Sequence, residues 1–229
     1  MNYDHIYATA EDDFVDRSVG LLSHILSESI ADNGQAILGL SGGSTPKVIY
    51  EALGMSDVDW NKVTLFLVDD RYVPADADGS NQKLVRETLL KNASIPEENL
   101  VFPDTSLTIE ECITEYETKL AMTLSQGIPH SVTLGLGSDG HIASLFPPLT
   151  EAAFGDRLVL HTETDKFDVL DRISTTMVVI GSADRKIFFL KGEGKKDVWD
   201  EMLADDDDPM RWPAKAALQL GGGVVISYW

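Results

Sequence analysis

The stretch Ala36-Ile37-Leu38-Gly39-Leu40-Ser41-Gly42-Gly43-Ser44-Thr45-Pro46 contains the transition that decides the fold. Its first five residues form a short apolar run that is typical of a buried strand, and Pro46 fits the first turn of a helix. Glycines let backbone N–H groups approach an anion, and a helix start adds partial positive charge. The stretch therefore predicts a strand, an anion-binding turn and a helix. An ordinary turn with Thr45 as N-cap is the alternative interpretation.

Two further apolar strands end in unusual loops. Residues 63–68 stop at Asp69-Asp70-Arg71, and residues 131–135 lead into Gly137-Ser138-Asp139-Gly140-His141. More strands are predicted at 175–180, 187–190 and 224–228, and helices at 14–30, 46–53, 80–91, 108–125 and 195–203. This alternation predicts an α/β fold with a mainly parallel, Rossmann-like sheet and helices on both faces. Since ligands bind beyond the carboxyl ends of such strands, we expect the three loops to meet at one edge.

The composition limits the classes of partner. The chain has 229 residues, 43% of them hydrophobic, and 18 Lys+Arg against 38 Asp+Glu give a net charge of −20. This excludes a disordered or fibrous chain, and the charge repels nucleic acid and anionic membranes. There is one cysteine, Cys112, and the pattern leads us to expect no secretory signal, membrane span, repeat or linker. We therefore expect a cytoplasmic monomer with a single domain over residues 1–229.

His141 is the candidate general base, because it follows a buried strand and imidazole titrates near neutral pH. A histidine that caps a short helix is the plainer alternative. Arg71 can hold a phosphate bidentately and Asp69 can orient a base or bind a sugar hydroxyl; a structural ion pair, which is common, is the alternative. We expect the other histidines to be structural or exposed, no metal site, and a solvated loop at the aspartates 205–208.

Two motif matches point to other activities. Residues 39–43 match G-x-S-x-G, so a serine esterase with Ser41 as nucleophile stays open. Residues 135–140 match the dinucleotide fingerprint G-x-G-x-x-G, but that motif needs a long helix directly after it. Pro147-Pro148 interrupts the pattern, which disfavours a nicotinamide site.

The loops, in this order, resemble those of the 6-phosphogluconolactonases. The matching segments are 40–46, 69–74 with Ser80-Asn81, 135–147, 172–174 and 192–195, and Asp-Gly-His-x-Ala-Ser-Leu-Phe-Pro at 139–147 is the most specific. The resemblance implies a fold shared with glucosamine-6-phosphate and ribose-5-phosphate isomerases. It also implies hydrolysis of 6-phospho-D-glucono-1,5-lactone in the oxidative branch of the pentose phosphate pathway, without cofactor or metal.

Carried over by position, the resemblance makes His141 the residue that activates water and Asp69 the first acidic residue of the family's D-E-R motif. The remaining candidates would bind the phosphate or the rest of the substrate. They are Gly42, Gly43, Ser44, Thr45, Arg71, Gly137, Asp139, Gly140, Arg172 and Lys195.

Departures from the family pattern define the alternatives. Asp70 replaces the usual middle glutamate, and Lys215 stands where the family often has a serine. Glucosamine-6-phosphate deaminases carry a glutamate five residues after the histidine for proton transfer, whereas this chain has Phe146. This difference favours the lactonase over the deaminase. A non-catalytic phosphosugar-binding regulator is a third possibility.

Overall fold

The computed structural model describes residues 2–205 and 210–229, which form two sheets. The strands are β1 (Tyr3–Tyr7), β2 (Ala36–Leu40), β3 (Val63–Leu67), β4 (Asp69–Arg71), β5 (Leu100–Val101), β6 (Ser131–Leu134), β7 (Val159–Glu163), β8 (Asp171–Thr175), β9 (Arg185–Lys191) and β10 (Gly223–Tyr228). The helices are α1 (Glu11–Asn33), α2 (Ser44–Leu53), α3 (Asn81–Glu87), α4 (Leu89–Asn92), α5 (Ile109–Leu124), α6 (Met177–Ser182), α7 (Glu193–Ala204) and α8 (Pro213–Gln219). Short 3-10 helices lie at Trp60–Lys62, Glu97–Asn99 and Glu151–Phe154.

Seven strands form a parallel sheet in the order β1-β10-β9-β6-β2-β3-β5. From β2 the chain adds β3 and β5 on one side, and it then adds β6, β9 and β10 on the other. The strand order therefore reverses between β2 and β6, and such a switch point opens a crevice at the carboxyl ends. The predicted mainly parallel sheet is confirmed.

The second sheet has three strands, and the chain enters it directly from β3 of the first sheet. After β3 the chain continues into β4, which pairs antiparallel with β8, and β8 pairs antiparallel with β7. The register places Arg71 opposite Arg172 and Asp69 opposite Ser174. Directly opposite side chains share a face of the sheet, so β8 brings a second guanidinium beside that of Arg71.

Hydrophobic clusters pack on both faces of the parallel sheet, as predicted. Leu38 and Leu65 point into the cluster that α1, α2, α3 and α4 cover, whereas their neighbours Ile37 and Phe66 point into the cluster beneath α5, α7 and α8. This alternation is the period-2 geometry of a strand that is buried on both sides. The two helix layers leave the carboxyl edge of the sheet to the loops.

Two element predictions are wrong. The helix predicted at 80–91 breaks at Thr88 into α3 and α4. The strand predicted at 175–180 is also wrong, because β8 ends at Thr175 and α6 follows. A short apolar run does not distinguish a strand from a buried helix, and Met177, Val179 and Ile180 enter the core from α6.

Within residues 2–205 and 210–229, no helix is both long and apolar enough to cross a membrane. Of the four aspartates at 205–208, only Asp205 is described, and its carboxylate accepts a hydrogen bond from the Trp212 indole at 2.6 Å. Residues 206–208 of the predicted solvated loop lie outside the described residues.

Candidate active site

A cavity of about 320 Å³ lies at the carboxyl edge of the parallel sheet, where the loops after β2, β3, β6 and β9 meet. Most of the predicted site residues line it. They are Gly42, Gly43, Ser44, Thr45, Asp69, Arg71, Gly137, His141, Arg172 and Lys195. Asp139 and Gly140 lie behind the lining, Asp139 against His141 and Gly140 against the Trp212 ring.

The start of α2 forms one wall. Gly43 is its N-cap and has no side chain that could occupy the N–H groups of the first turn, which lack partners within the helix. Gly42 passes so close to Asn81 that a Cβ atom would lie 1.8 Å from Asn81 Oδ1. With the hydroxyls of Ser44 and Thr45, this turn offers a set of donors to an anion.

Two guanidinium groups form another part of the cavity lining. Arg71 Nη1 donates to Asn81 Oδ1 at 2.5 Å, and Arg172 Nε donates to Val169 O at 3.0 Å. Arg172 is only 7% exposed; burial lowers its pKa, and the charge of Arg71 lowers it further. Like charges held side by side are suited to bind a dianion between them.

Lys195 adds a third cation from the first turn of α7. Its Nζ donates to Leu136 O at 2.6 Å in the loop after β6. Burial lowers the pKa of Lys195, and the nearby charge of Asp139 opposes that effect. The cationic groups of the cavity therefore come from β4, β8 and α7.

The two adjacent carboxylates have different surroundings. Asp69 lines the cavity, and its Oδ2 accepts from Ser144 Oγ at 2.7 Å. Asp70 is fully buried at the start of α3, where it accepts from the backbone N–H groups of Asn81 at 2.7 Å and Gln82 at 3.2 Å. Burial raises the pKa of Asp70 to about 6 against the lowering effect of these hydrogen bonds. The departure from the family's glutamate thus falls on a carboxylate that supports a helix.

His141 is oriented by a carboxylate. Its Nδ1 lies 2.6 Å from Asp139 Oδ1, and Asp139 Oδ2 lies 3.0 Å from Lys166 Nζ. Burial raises the pKa of Asp139, but hydrogen bonds from His141 and Lys166 outweigh it and hold the pKa well below its usual range. An ionised carboxylate only accepts hydrogen bonds, so neutral His141 carries its proton on Nδ1 and its lone pair on Nε2.

The His141 ring packs so closely against the loop after β6 that position 137 has room only for glycine. A Cβ atom on Gly137 would lie 2.0 Å from His141 Nδ1, and the Gly137 N–H donates to His141 O at 2.8 Å. Aromatic rings of Phe146 and Phe167 pack against the imidazole, with centroids 4.9 and 5.5 Å away. The His141 ring therefore lies in a partly apolar surrounding.

Sequence reasoning assigned no role to Asn81 or Phe167, which also line the cavity. Asn81 donates to Asp69 O at 2.8 Å and accepts from Arg71, so it holds both groups in place. Two signals pointed to Asn81: the Ser80-Asn81 segment matches the family pattern, and Ser80 before it is the N-cap of α3. Phe167 reaches the site through the pairing of β7 with β8, which no local pattern indicates.

The competing motifs do not form their sites. The Ser41 hydroxyl lies 3.4 Å from Thr133 Oγ1, and in the described part of the chain it makes no contact with a histidine such as a serine esterase needs. The residues after Gly140 form turns rather than the long helix of a dinucleotide site.

His161 belongs to a separate, exposed cluster. Its Nε2 lies 2.7 Å from Asp171 Oδ1 and 4.0 Å from Glu163 Oε1, a grouping that could hold a cation but lies outside the cavity lining. His161 and Glu163 lie two residues apart on β7, and the pairing of β7 with β8 brings Asp171 beside them.

Comparisons with known proteins cover nearly the whole chain. Residues 9–226 match the family model described as glucosamine-6-phosphate isomerases/6-phosphogluconolactonase. A protein of Dictyostelium discoideum named probable 6-phosphogluconolactonase is 40% identical over 218 residues, which is 93% of this chain and 92% of that protein. The crystal structure of 6-phosphogluconolactonase from Thermotoga maritima is 29% identical with a TM-score of 0.86, covering 98% of this chain and 99% of the other. The structure of 6-phosphogluconolactonase from Plasmodium vivax is 28% identical with a TM-score of 0.90, covering 99% and 90%. These matches include every loop that lines the cavity, and the chain therefore belongs to the family of glucosamine-6-phosphate isomerases and 6-phosphogluconolactonases.

Proposed function

We propose that this protein hydrolyses 6-phospho-D-glucono-1,5-lactone to 6-phospho-D-gluconate. The observation that carries the proposal is that His141, oriented by Asp139, shares one cavity with Arg71, Arg172 and Lys195. A base and an anion site thus face the same ligand. Relatives named 6-phosphogluconolactonase support this choice of substrate.

The phosphate binds at the start of α2, at Gly43, Ser44 and Thr45, and the guanidinium groups of Arg71 and Arg172 neutralise its charge. Lys195 lies on the same cavity and adds a further positive charge. Binding energy from this remote group fixes the lactone ring relative to His141. Asp69, held by Ser144, positions the sugar through its carboxylate.

The chemistry uses side chains and water. His141 Nε2 takes a proton from water while the water oxygen attacks the lactone carbonyl carbon. Backbone N–H groups of a glycine-rich loop stabilise the oxyanion, and Asp139 stabilises the imidazolium. The carbonyl then reforms as the bond from the carbonyl carbon to the ring oxygen breaks, and the imidazolium returns its proton to that oxygen. The product is the open-chain acid.

The surroundings of His141 favour this reaction over its alternatives. Where deaminases carry a proton-transferring glutamate, the ring of Phe146 packs against His141 and can transfer no proton. A regulator that only binds a phosphosugar has no need of a carboxylate-oriented histidine in the cavity.

The test measures proton release from freshly prepared 6-phosphogluconolactone, with spontaneous hydrolysis subtracted and the unphosphorylated lactone run in parallel. We expect rapid turnover of the phosphorylated lactone. His141→Ala should lower the rate at least about 100-fold, the usual contribution of a general base. His24→Ala, which changes an exposed histidine on α1, is the control.

A protein that does not accelerate hydrolysis would contradict the proposal, and turnover of glucosamine 6-phosphate would point to the isomerase side of the family. Labelling by a fluorophosphonate that disappears in Ser41→Ala would support an acyl-enzyme and exclude the activated-water scheme.

A further inference from the structure

The loop between β7 and β8, residues 164–170, reaches the site at two points: Phe167 lines the cavity and Lys166 binds Asp139. We propose that Lys166 is a positioning residue that sets the proton affinity of His141 by sharing the carboxylate of Asp139. The inference rests on the proposed function for its kinetic test, but a spectroscopic test is independent of turnover.

The two oxygens of the Asp139 carboxylate contact different partners. Oδ1 faces His141 Nδ1 at 2.6 Å, and Oδ2 faces Lys166 Nζ at 3.0 Å. The Asp139 side chain is only 15% exposed, whereas that of Lys166 is 54% exposed. The ammonium group therefore neutralises part of a negative charge that water screens poorly on the side of the imidazole.

The shared charge matters because of what His141 must do. A carboxylate beside a histidine stabilises the imidazolium and raises the pKa of the ring. A general base works best when its proton affinity matches the working pH, and an over-stabilised imidazolium carries no lone pair for water. By contacting Oδ2, Lys166 reduces the negative charge that Asp139 presents to the ring, while Oδ1 still orients it.

The other charges around this pair act from further away. Lys195 on α7 acts on Asp139 through space, and Arg211 donates to the backbone oxygen of Asp139 at 2.8 Å. The Arg172 guanidinium lies 5.6 Å from the Phe167 ring centroid, and that ring packs against His141. In the described part of the chain, Lys166 is the cation that contacts the Asp139 carboxylate itself.

Hydrogen bonds anchor the backbone of the loop that carries Lys166. Thr164 N donates to Leu170 O at 3.2 Å and closes the loop, and Arg172 Nε donates to Val169 O at 3.0 Å. An ion pair contributes little when both partners are exposed, but here the Asp139 side chain is only 15% exposed and water screens the pair less.

The experiment compares Lys166→Met and Lys166→Arg with the wild-type protein in two measurements: the pH profile of kcat/KM, and the NMR titration of the His141 ring nitrogens. In Lys166→Met we expect both midpoints to rise by about half a pH unit, with the activity loss confined to low pH. Lys166→Arg keeps the charge and should restore the wild-type midpoint. Lys62→Met removes a lysine of similar exposure, 51%, that pairs with Asp59, and controls for the change in net charge.

An unchanged His141 titration in Lys166→Met would overturn the inference, as would an equal shift in Lys62→Met. A loss of activity that is uniform over pH would assign Lys166 a purely structural role and overturn it too. If the wild-type protein fails to hydrolyse the lactone, the proposed function fails, whereas the NMR titration still decides the role of Lys166.

Discussion

Arg71 and Arg172 stand directly opposite each other on β4 and β8. Like charges at such positions destabilise a sheet, since the side chains share one face at close range. The neighbouring carboxylates of Asp69 and Asp70 offset the repulsion, but Asp70 already accepts hydrogen bonds from backbone N–H groups at the start of α3. A phosphate bound as proposed would complete the neutralisation, and its binding would then relieve a local electrostatic cost.

Arg71→Met should therefore act on the phosphate rather than on the chemistry. A hydrogen bond to a charged group contributes about 1.5–3 kcal/mol, so we expect kcat/KM for the phosphorylated lactone to fall by about 10- to 100-fold. The unphosphorylated lactone should show little change. Arg17→Met, which changes an exposed arginine on α1, is the control. An equal loss with both lactones would remove Arg71 from phosphate binding.

At the scale of elements, His130 joins the start of β2 to the segment that leads into β6. Its backbone N–H donates to Ile37 O at 2.9 Å, and its ring Nδ1 accepts from Ile37 N at 2.9 Å. Burial lowers the pKa of His130 from its ordinary value of 6.5. The ring thus works as a neutral acceptor at the switch point between the two halves of the sheet.

The lowered pKa has a defined sign for stability. Below pH 6.5 the unfolded chain binds a proton at His130 more readily than the folded chain does, and this lowers the free energy of unfolding. The stability that the folded protein has with neutral His130 is therefore present above pH 6.5 and is lost as the pH falls. His130→Ala should cost about 1–3 kcal/mol at about pH 7.5, because it leaves the Ile37 N–H unpaired. The variant should also lose less stability than the wild-type protein on going to about pH 5.5.

Urea unfolding at both pH values checks this prediction, with His24→Ala as the exposed control. If the wild-type protein and His130→Ala lose the same free energy of unfolding over this interval, the histidine is not the group that titrates.

At the scale of the whole molecule, a net charge of −20 surrounds a site for an anionic ligand. The long-range field repels the substrate, and the cations of the cavity act only over a few ångströms. The predictions of a cytoplasmic monomer and of a single domain over residues 1–229 also belong to this scale, and they stay predictions.

This charge distribution predicts an unusual salt dependence. Screening weakens the long-range repulsion more than the short-range attraction, since the Debye length is about 10 Å at 0.1 M salt. Raising the ionic strength from about 20 to about 200 mM should leave kcat/KM level or increase it. The uncharged, unphosphorylated lactone serves as the control. A tenfold decrease for the phosphorylated lactone would mean that electrostatic attraction steers the substrate despite the net charge.

Local patterns in the sequence determined the parallel sheet, its two helix layers and the loops that carry Gly43, Asp69 and His141. Buried strands, helix periodicity and glycine-rich turns each depend on neighbouring residues, and parallel strands bring their carboxyl ends to one edge. The phosphate-binding and catalytic roles follow from resemblance and stay proposals. The structure shows that most of the candidates share one cavity.

Only the tertiary structure decided which distant groups contact these loops. The antiparallel register of β4 with β8 brings Arg172 to Arg71, and the β7–β8 loop carries Lys166 and Phe167 to the Asp139–His141 pair. Tertiary packing is also the reason that most of the apolar run at 175–180 forms α6 rather than a strand. Strand pairing and core packing depend on residues far apart in the chain, and no periodicity, cap or turn signal records them.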